Sequence, residues 1–226
     1  KVIFIQFPKI LIFLIPFFLI TGPFLSDLAV TIVSILFVIK IIREKNFQVF
    51  DNIFFKFFFL FYIYLVINSL INNYNLDSFR IAITYIRFGL FTLAFVYFLK
   101  QDNKLLIKIF WCLLICFLGI FFDATIQFLF GKNILGFELH YPGPRVSSFF
   151  GDELIMGSYV SRFYPILFGL FIVTYNFKKQ YLLILLSLSS VFVVFLSGER
   201  TAIFLILLSL ILKFILIYEN KIFLKK

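Results

Sequence analysis

The chain has 226 residues, is 63% hydrophobic with 38 phenylalanines, carries only 14% charged residues and has a mean hydropathy of +1.09. No soluble domain has that composition. A net charge of +10 would suggest nucleic acid in a soluble protein; here the basic residues gather between apolar runs, where they set topology and meet anionic headgroups, so membrane lipid is the expected partner and nucleic acid is not.

Eight apolar runs are long enough to cross about 30 Å of hydrocarbon as helices. The first extends from near Val2 to Ile20, contains Pro8 and Pro16, and is broken by Thr21-Gly22-Pro23. Ser26 and Asp27 have the chemistry of a helix N-cap and open a second run that ends at Arg43-Glu44-Lys45-Asn46. A third covers Ile53 to Ile71, and a fourth runs from Asp77-Ser78 to Leu99. The fifth, Leu105 to Phe130, is followed by a substantial loop from Gly131 to Asp152. The sixth runs from Glu153 to Tyr175, the seventh from Tyr181 to Leu196, and the eighth from Thr201 to Tyr218.

With the N-terminus inside, fifteen basic residues fall on the cytoplasmic side and six on the other, the bias that fixes orientation. The expected fold is therefore all-α, a polytopic transmembrane helix bundle of about eight spans with both termini cytoplasmic, and residues 1–226 form one transmembrane domain. The first span reads as retained rather than as a cleaved leader, and the ends at Lys1 and Lys226 read as those of a piece of a longer membrane protein.

The two basic residue types divide unevenly. All fifteen lysines except Lys132 are placed at cytoplasmic loops or ends, whereas Arg80, Arg87, Arg145, Arg162 and Arg200 lie on or just under the outer face, leaving Arg43 inside. Arginine there has a reason other than topology: a planar, permanently charged fork that grips phosphate at two points. Arg80 and Arg87 are seven apart and share a helical face, Arg87 about 10 Å deeper. Asp123, about two turns below the outer end of its helix, is the expected ion-pair partner of Arg87 or Arg162. One carboxylate leaves positive charge over for an anionic ligand.

The outer loop carries His140-Tyr141-Pro142-Gly143-Pro144-Arg145, and Gly151-Asp152 precedes a helix N-terminus whose free N–H groups favour anions. His140, the single histidine, is a weak candidate for a general base and is otherwise a solvated loop residue. Cys112 and Cys116 share a helical face as packing residues. Nothing has the spacing of a metal site or a phosphate loop, and no cofactor is implied.

Two stretches carry a resemblance. Arg145-Val-Ser-Ser-Phe-Phe-Gly-Asp-Glu-Leu-Ile-Met-Gly-Ser-Tyr-Val, with Pro165 beyond it, and Leu196-Ser-Gly-Glu-Arg-Thr-Ala202 resemble the two signatures of the bacterial O-antigen ligase and O-antigen polymerase superfamily. Ile20-Thr21-Gly22-Pro23-Phe24-Leu25-Ser26-Asp27 is similar to the start of many members. The resemblance implies a metal-independent integral-membrane glycosyltransferase of the bacterial inner membrane, acting at the periplasmic face in lipopolysaccharide or surface polysaccharide biosynthesis. It implies an undecaprenyl-diphosphate-linked glycan as donor, and lipid A-core or a second lipid-linked glycan as acceptor. Arg145 and Arg200 are the positions it matches to the donor diphosphate. The family's catalytic histidine belongs to a large periplasmic loop after further helices, and His140 is not its match, so this stretch alone is expected to be inactive.

Two alternatives stand beside it. A transporter or flippase for a lipid-linked or anionic substrate would continue polar groups toward the inner face, and the apolar cytoplasmic halves favour the enzyme. A non-catalytic membrane scaffold would use its arginines structurally.

Overall fold

A computed structural model describes residues 3–71, 76–139, 145–175 and 180–223. Its order is α1 (Ile3–Thr21), α2 (Pro23–Glu44), a 3₁₀ turn at Phe47–Asp51, α3 (Ile53–Ile71), α4 (Leu76–Thr84), α5 (Ile86–Gln101), α6 (Lys104–Phe130), a 3₁₀ turn at Ser148–Phe150, α7 (Met156–Tyr175), α8 (Gln180–Ser197) and α9 (Arg200–Phe223). Lys132 and Glu138 form an isolated antiparallel bridge. Five helical stretches, Pro23–Glu44, Ile53–Ile71, Leu76–Gln101, Lys104–Phe130 and Met156–Tyr175, are long and apolar enough to cross a membrane, and Gln6–Thr21 and Tyr181–Ser197 are shorter apolar helices. The composition thus resolves into a helical membrane protein.

The chain divides into two compact units, with the boundary inside α6 at Ile109 and Phe110. In the first, α2 packs on α1 and α5, and α3 packs on α4 and α5. The periodicity of burial explains why. In α2 the buried residues are Ser26, Ala29, Val33, Ser34, Phe37, Lys40 and Ile41, steps of three and four that make one stripe, while Phe24, Leu28, Ile35 and Ile42 point away. Apolar side chains on the outward face suit hydrocarbon rather than water. Gly22, at φ 125°, lets the chain turn between α1 and α2, and Pro23 starts α2 at its first turn, where a missing N–H costs nothing. Ser26 and Asp27 are therefore inside the helix instead of capping it.

The expected fourth span is present as Leu76–Gln101, with one irregular residue between α4 and α5. At Tyr85 the bonds tighten to three-residue spacing, Tyr85 N to Ala82 O and Phe88 N to Tyr85 O, and the ring stacks on Phe58 of α3 at 6.3 Å between centroids. Tyr85 itself keeps helical dihedrals, φ −63° and ψ −23°, so the chain passes through this tightened turn from Arg80 to Arg87 without leaving the helical region.

In the second unit α7 packs on α8 and α9 and α8 on α9. α6 joins through the aromatic pairs Phe110–Phe171, Phe117–Tyr159 and Phe121–Phe192. Its buried stripe begins with apolar residues and ends with Asp123, Ala124 and Gln127. That change of character marks where the helix meets the loop.

Candidate functional site

Asp123 and Gln127 are four apart on α6 and both 0% exposed, so they face one direction and must find partners within the protein. They find them in the loop. The Asp123 carboxyl accepts from Asn133 Nδ2 (3.2 Å), Ile134 N (3.0 Å) and Ser148 Oγ (2.6 Å). Gln127 Oε1 accepts from Ser147 N and Ser148 N, and its Nε2 donates to the carbonyls of Phe137 and Glu138. Asn133 Nδ2 also donates to Ser148 O at 2.9 Å. Ser148 sits at φ 52°, a strained setting for a residue with a side chain, held by these bonds. Asp123 is not the ion-pair partner expected of it. Among the described residues it has no guanidinium partner, because the loop backbone and two neutral side chains fill its oxygens.

The anchored loop delivers Arg145 to the end of α8. Arg145 Nε donates to Ser197 O at 3.0 Å and Val146 N to Leu196 O at 3.2 Å. Gly198 turns the chain at φ 66°, and a side chain there would lie 3.2 Å from Arg145 Nε, so glycine serves both the turn and the passage of the arginine stem. On the far side of the turn, Glu199 reaches α7. Ser158 N donates to both carboxylate oxygens at 3.1 Å, and the Ser158 hydroxyl donates to Oε2. A Cβ on Gly157 would fall 2.2 Å from Ser197 Oγ and 2.9 Å from Glu199 Oε1, which fixes why the helix can approach so closely. The N–H groups at the start of α7, expected to be open to an outside anion, hold the chain's own carboxylate.

This interlock joins two stretches some fifty residues apart in sequence, and Arg145 is the arginine that takes part in it. Arg200 opens α9 three residues beyond the carbonyl that Arg145 holds, within about 10 Å by chain length. Arg162 follows Ser158 by four residues on α7 and so shares the face that meets Glu199. Arg145 is half-buried, and Arg162 and Arg200 are exposed. In the first unit Arg87 pairs with Asp27 at 2.9 Å and points one Nη at Thr31 Oγ1, while exposed Arg80 lies 3.9 Å from Asp77. None of the five is fully buried: Arg80, Arg162 and Arg200 are exposed, while Arg87 is half-buried and keeps Nε out of reach of any hydrogen-bond partner among the described residues. His140 and the Tyr141–Pro144 bend lie outside the described residues.

A second polar group was missed in the sequence. Lys213, in α9, is not at a helix end as expected of a topology-setting lysine; its Nζ donates to Ser187 Oγ of α8 and lies 3.4 Å from Tyr164 OH of α7, with the Phe168 ring 5.0 Å away. Tyr164 and Ser187 are themselves 2.8 Å apart and buried. Ser161 and Ser190 are also buried, so the core of this unit carries several polar side chains. The signal was there: a lysine thirteen residues past Arg200 is too far into the run to be at its end. Among the described residues no three His, Cys, Asp or Glu side chains gather to hold a metal.

Compared with protein-family models, with curated proteins and with solved structures, the chain matches none.

Proposed function

We propose that the protein transfers or polymerises an O-antigen-type glycan from a polyprenyl-diphosphate donor, with ligation to lipid A-core as the first reading and polymerisation onto a second lipid-linked glycan as the next. The observation that supports it is the interlock of Arg145 with Ser197-Gly198-Glu199-Arg200. The two stretches on which the resemblance rests are built against each other, and Arg162 lies one helical turn beyond Ser158. In this reading Arg145, Arg162 and Arg200 hold the donor diphosphate, and their fixed positive charge stabilises the negative charge that grows on it as it leaves. Glu199, tied to Ser158, keeps the turn that carries Arg200 in place. The acceptor hydroxyl also requires a base, and none is assigned. The reading places the protein in the bacterial inner membrane with eight spans, both termini cytoplasmic and the arginines outward, supported by the basic-residue bias.

Competition for a fluorescent polyprenyl diphosphate tests the grip in the purified protein. Inorganic pyrophosphate should displace it and polyprenol should not, and Arg200→Lys should weaken binding about tenfold, because a bidentate charged contact is replaced by a point charge. Equal binding of polyprenol and polyprenyl diphosphate would contradict the reading.

The Lys213–Ser187–Tyr164 cluster favours a second reading, a transporter or flippase, because ionisable groups within a span often mark a substrate path. Movement of a lipid-linked diphosphate across proteoliposomes, abolished by Lys213→Met with binding intact, would select it over the transferase.

A further inference from the structure

The first unit contains two cavities that meet. One, of 190 Å³, lies between α3 and α5 and is walled by Phe54, Phe55, Phe58, Leu93 and Val96, with Gly89 beneath Phe58. The other, of 310 Å³, lies beside the 3₁₀ turn and carries Asn46, Gln48 and Lys100. Asn52, Leu93 and Val96 line both, so the apolar chamber adjoins the one that carries the polar side chains.

We propose that this pair is a binding site for an anionic phospholipid of the surrounding bilayer, with an acyl chain in the α3–α5 chamber and the phosphate against Lys100. The match is in polarity and charge. The apolar chamber offers aromatic and aliphatic walls; α3 has no buried residue, so this flank of the first unit is apolar and uncovered. In the polar chamber, Lys100 is exposed and Asn46 and Gln48 contribute amide donors. Asp51, the acidic residue there, has its charge met by Lys56 at 2.5 Å. In the adjoining segment Arg43 and Lys45 stand against Glu44 alone, which leaves net positive charge there, as in juxtamembrane segments that hold anionic lipid. Gly89 shapes the chamber: its missing side chain lets the Phe58 ring lie on α5, where a Cβ would be 2.2 Å from the ring. The site shares no residue with Arg145, Arg162 or Arg200, so it stands or falls independently of the transferase reading.

The test is native mass spectrometry of the purified chain, delipidated in mild detergent and then offered equal amounts of phosphatidylglycerol and phosphatidylethanolamine. The wild type should retain one phosphatidylglycerol. Val96→Trp, which plugs the junction from a partly exposed position, should lose it, while Val96→Ala keeps it. Lys100→Gln should lower the preference for phosphatidylglycerol about fivefold, the fold-change equivalent to ~1 kcal/mol for one lysine at an anionic headgroup. Should Val96→Trp fail to fold, the Lys100→Gln ratio decides alone. No retained phospholipid in the wild type, retention undiminished in a folded Val96→Trp, or an unchanged lipid ratio in Lys100→Gln would each overturn the proposal.

Discussion

Gly157, Gly198 and Ser148 show how much of the site depends on single side chains or their absence. A methyl group on Gly157 would collide with Ser197 Oγ and press on Glu199, two groups that together form the turn before Arg200. Gly157→Ala should therefore destabilise the protein by about 1–3 kcal/mol, the usual cost of overpacking, read as a lower Tm in detergent. Ser197→Gly in the same chain should restore part of the loss. In the loop, Asn133→Leu leaves an Asp123 oxygen and the Ser148 carbonyl each short of a donor, and should cost roughly 1–3 kcal/mol for the unpaired buried groups. A surface change such as Leu135→Ala should leave stability within about 0.5 kcal/mol of the wild type by comparison. The sequence made Asp123 conspicuous as a carboxylate in an apolar run. It could not say which partner would reach it, since Asn133 and Ser148 come from an irregular segment whose path no periodicity encodes.

Among the elements, helices were the most legible part. Runs of twenty apolar residues leave the backbone no hydrogen-bonding alternative in hydrocarbon, and α3, α6 and α8 begin and end close to where those runs do. Boundaries set by contacts between elements were not legible. α7 starts at Met156 and not near Glu153, because Ser148–Phe150 first form a 3₁₀ turn and Gly151 reverses the chain at φ 62°. The tightened turn at Tyr85 stacks on Phe58 from another helix, a contact that no local pattern encodes. The 131–139 segment is tied by Leu139 N to Gly131 O and by the exposed Lys132–Glu138 pair at 2.9 Å. Hydrogen bonding to Glu138 holds the Lys132 ammonium above its ordinary range, and Lys132 in turn holds the Glu138 carboxyl below its own. For Glu138 the contribution is complete above the ordinary carboxylate range and disappears as pH falls through its lowered value. For Lys132 it is complete below the ordinary ammonium range and disappears as pH rises through its raised value. Proteolysis of this segment should thus be flat across neutral pH and increase at both extremes, and Lys132→Gln should abolish both limbs.

At the scale of the whole molecule, orientation decides which face the arginines serve. In a chain with Cys112 and Cys116 replaced by alanine, a cysteine at Leu135, which is 63% exposed, should react with an impermeant thiol reagent from the periplasm. One at exposed Asn46 should not. Leu135 is the better probe because Asn133 is buried in the Asp123 network. The reverse pattern would put the arginine interlock in the cytoplasm and remove its access to a periplasmic donor. Composition gave the membrane class, and the lysine and arginine division drew attention to one face. The Glu199 clasp and the partners of Lys213 were not readable, since each joins groups from different helices, although the position of Lys213 within its run was. The most direct measurement is retention of a polyprenyl-diphosphate-linked glycan by membranes containing equal amounts of wild type, Arg145→Lys and Arg200→Lys. Both variants keep the charge and lose the two-pronged donor, so retention should fall about tenfold or more with insertion unchanged. Full retention by both variants would contradict a phosphate-gripping role for the interlock.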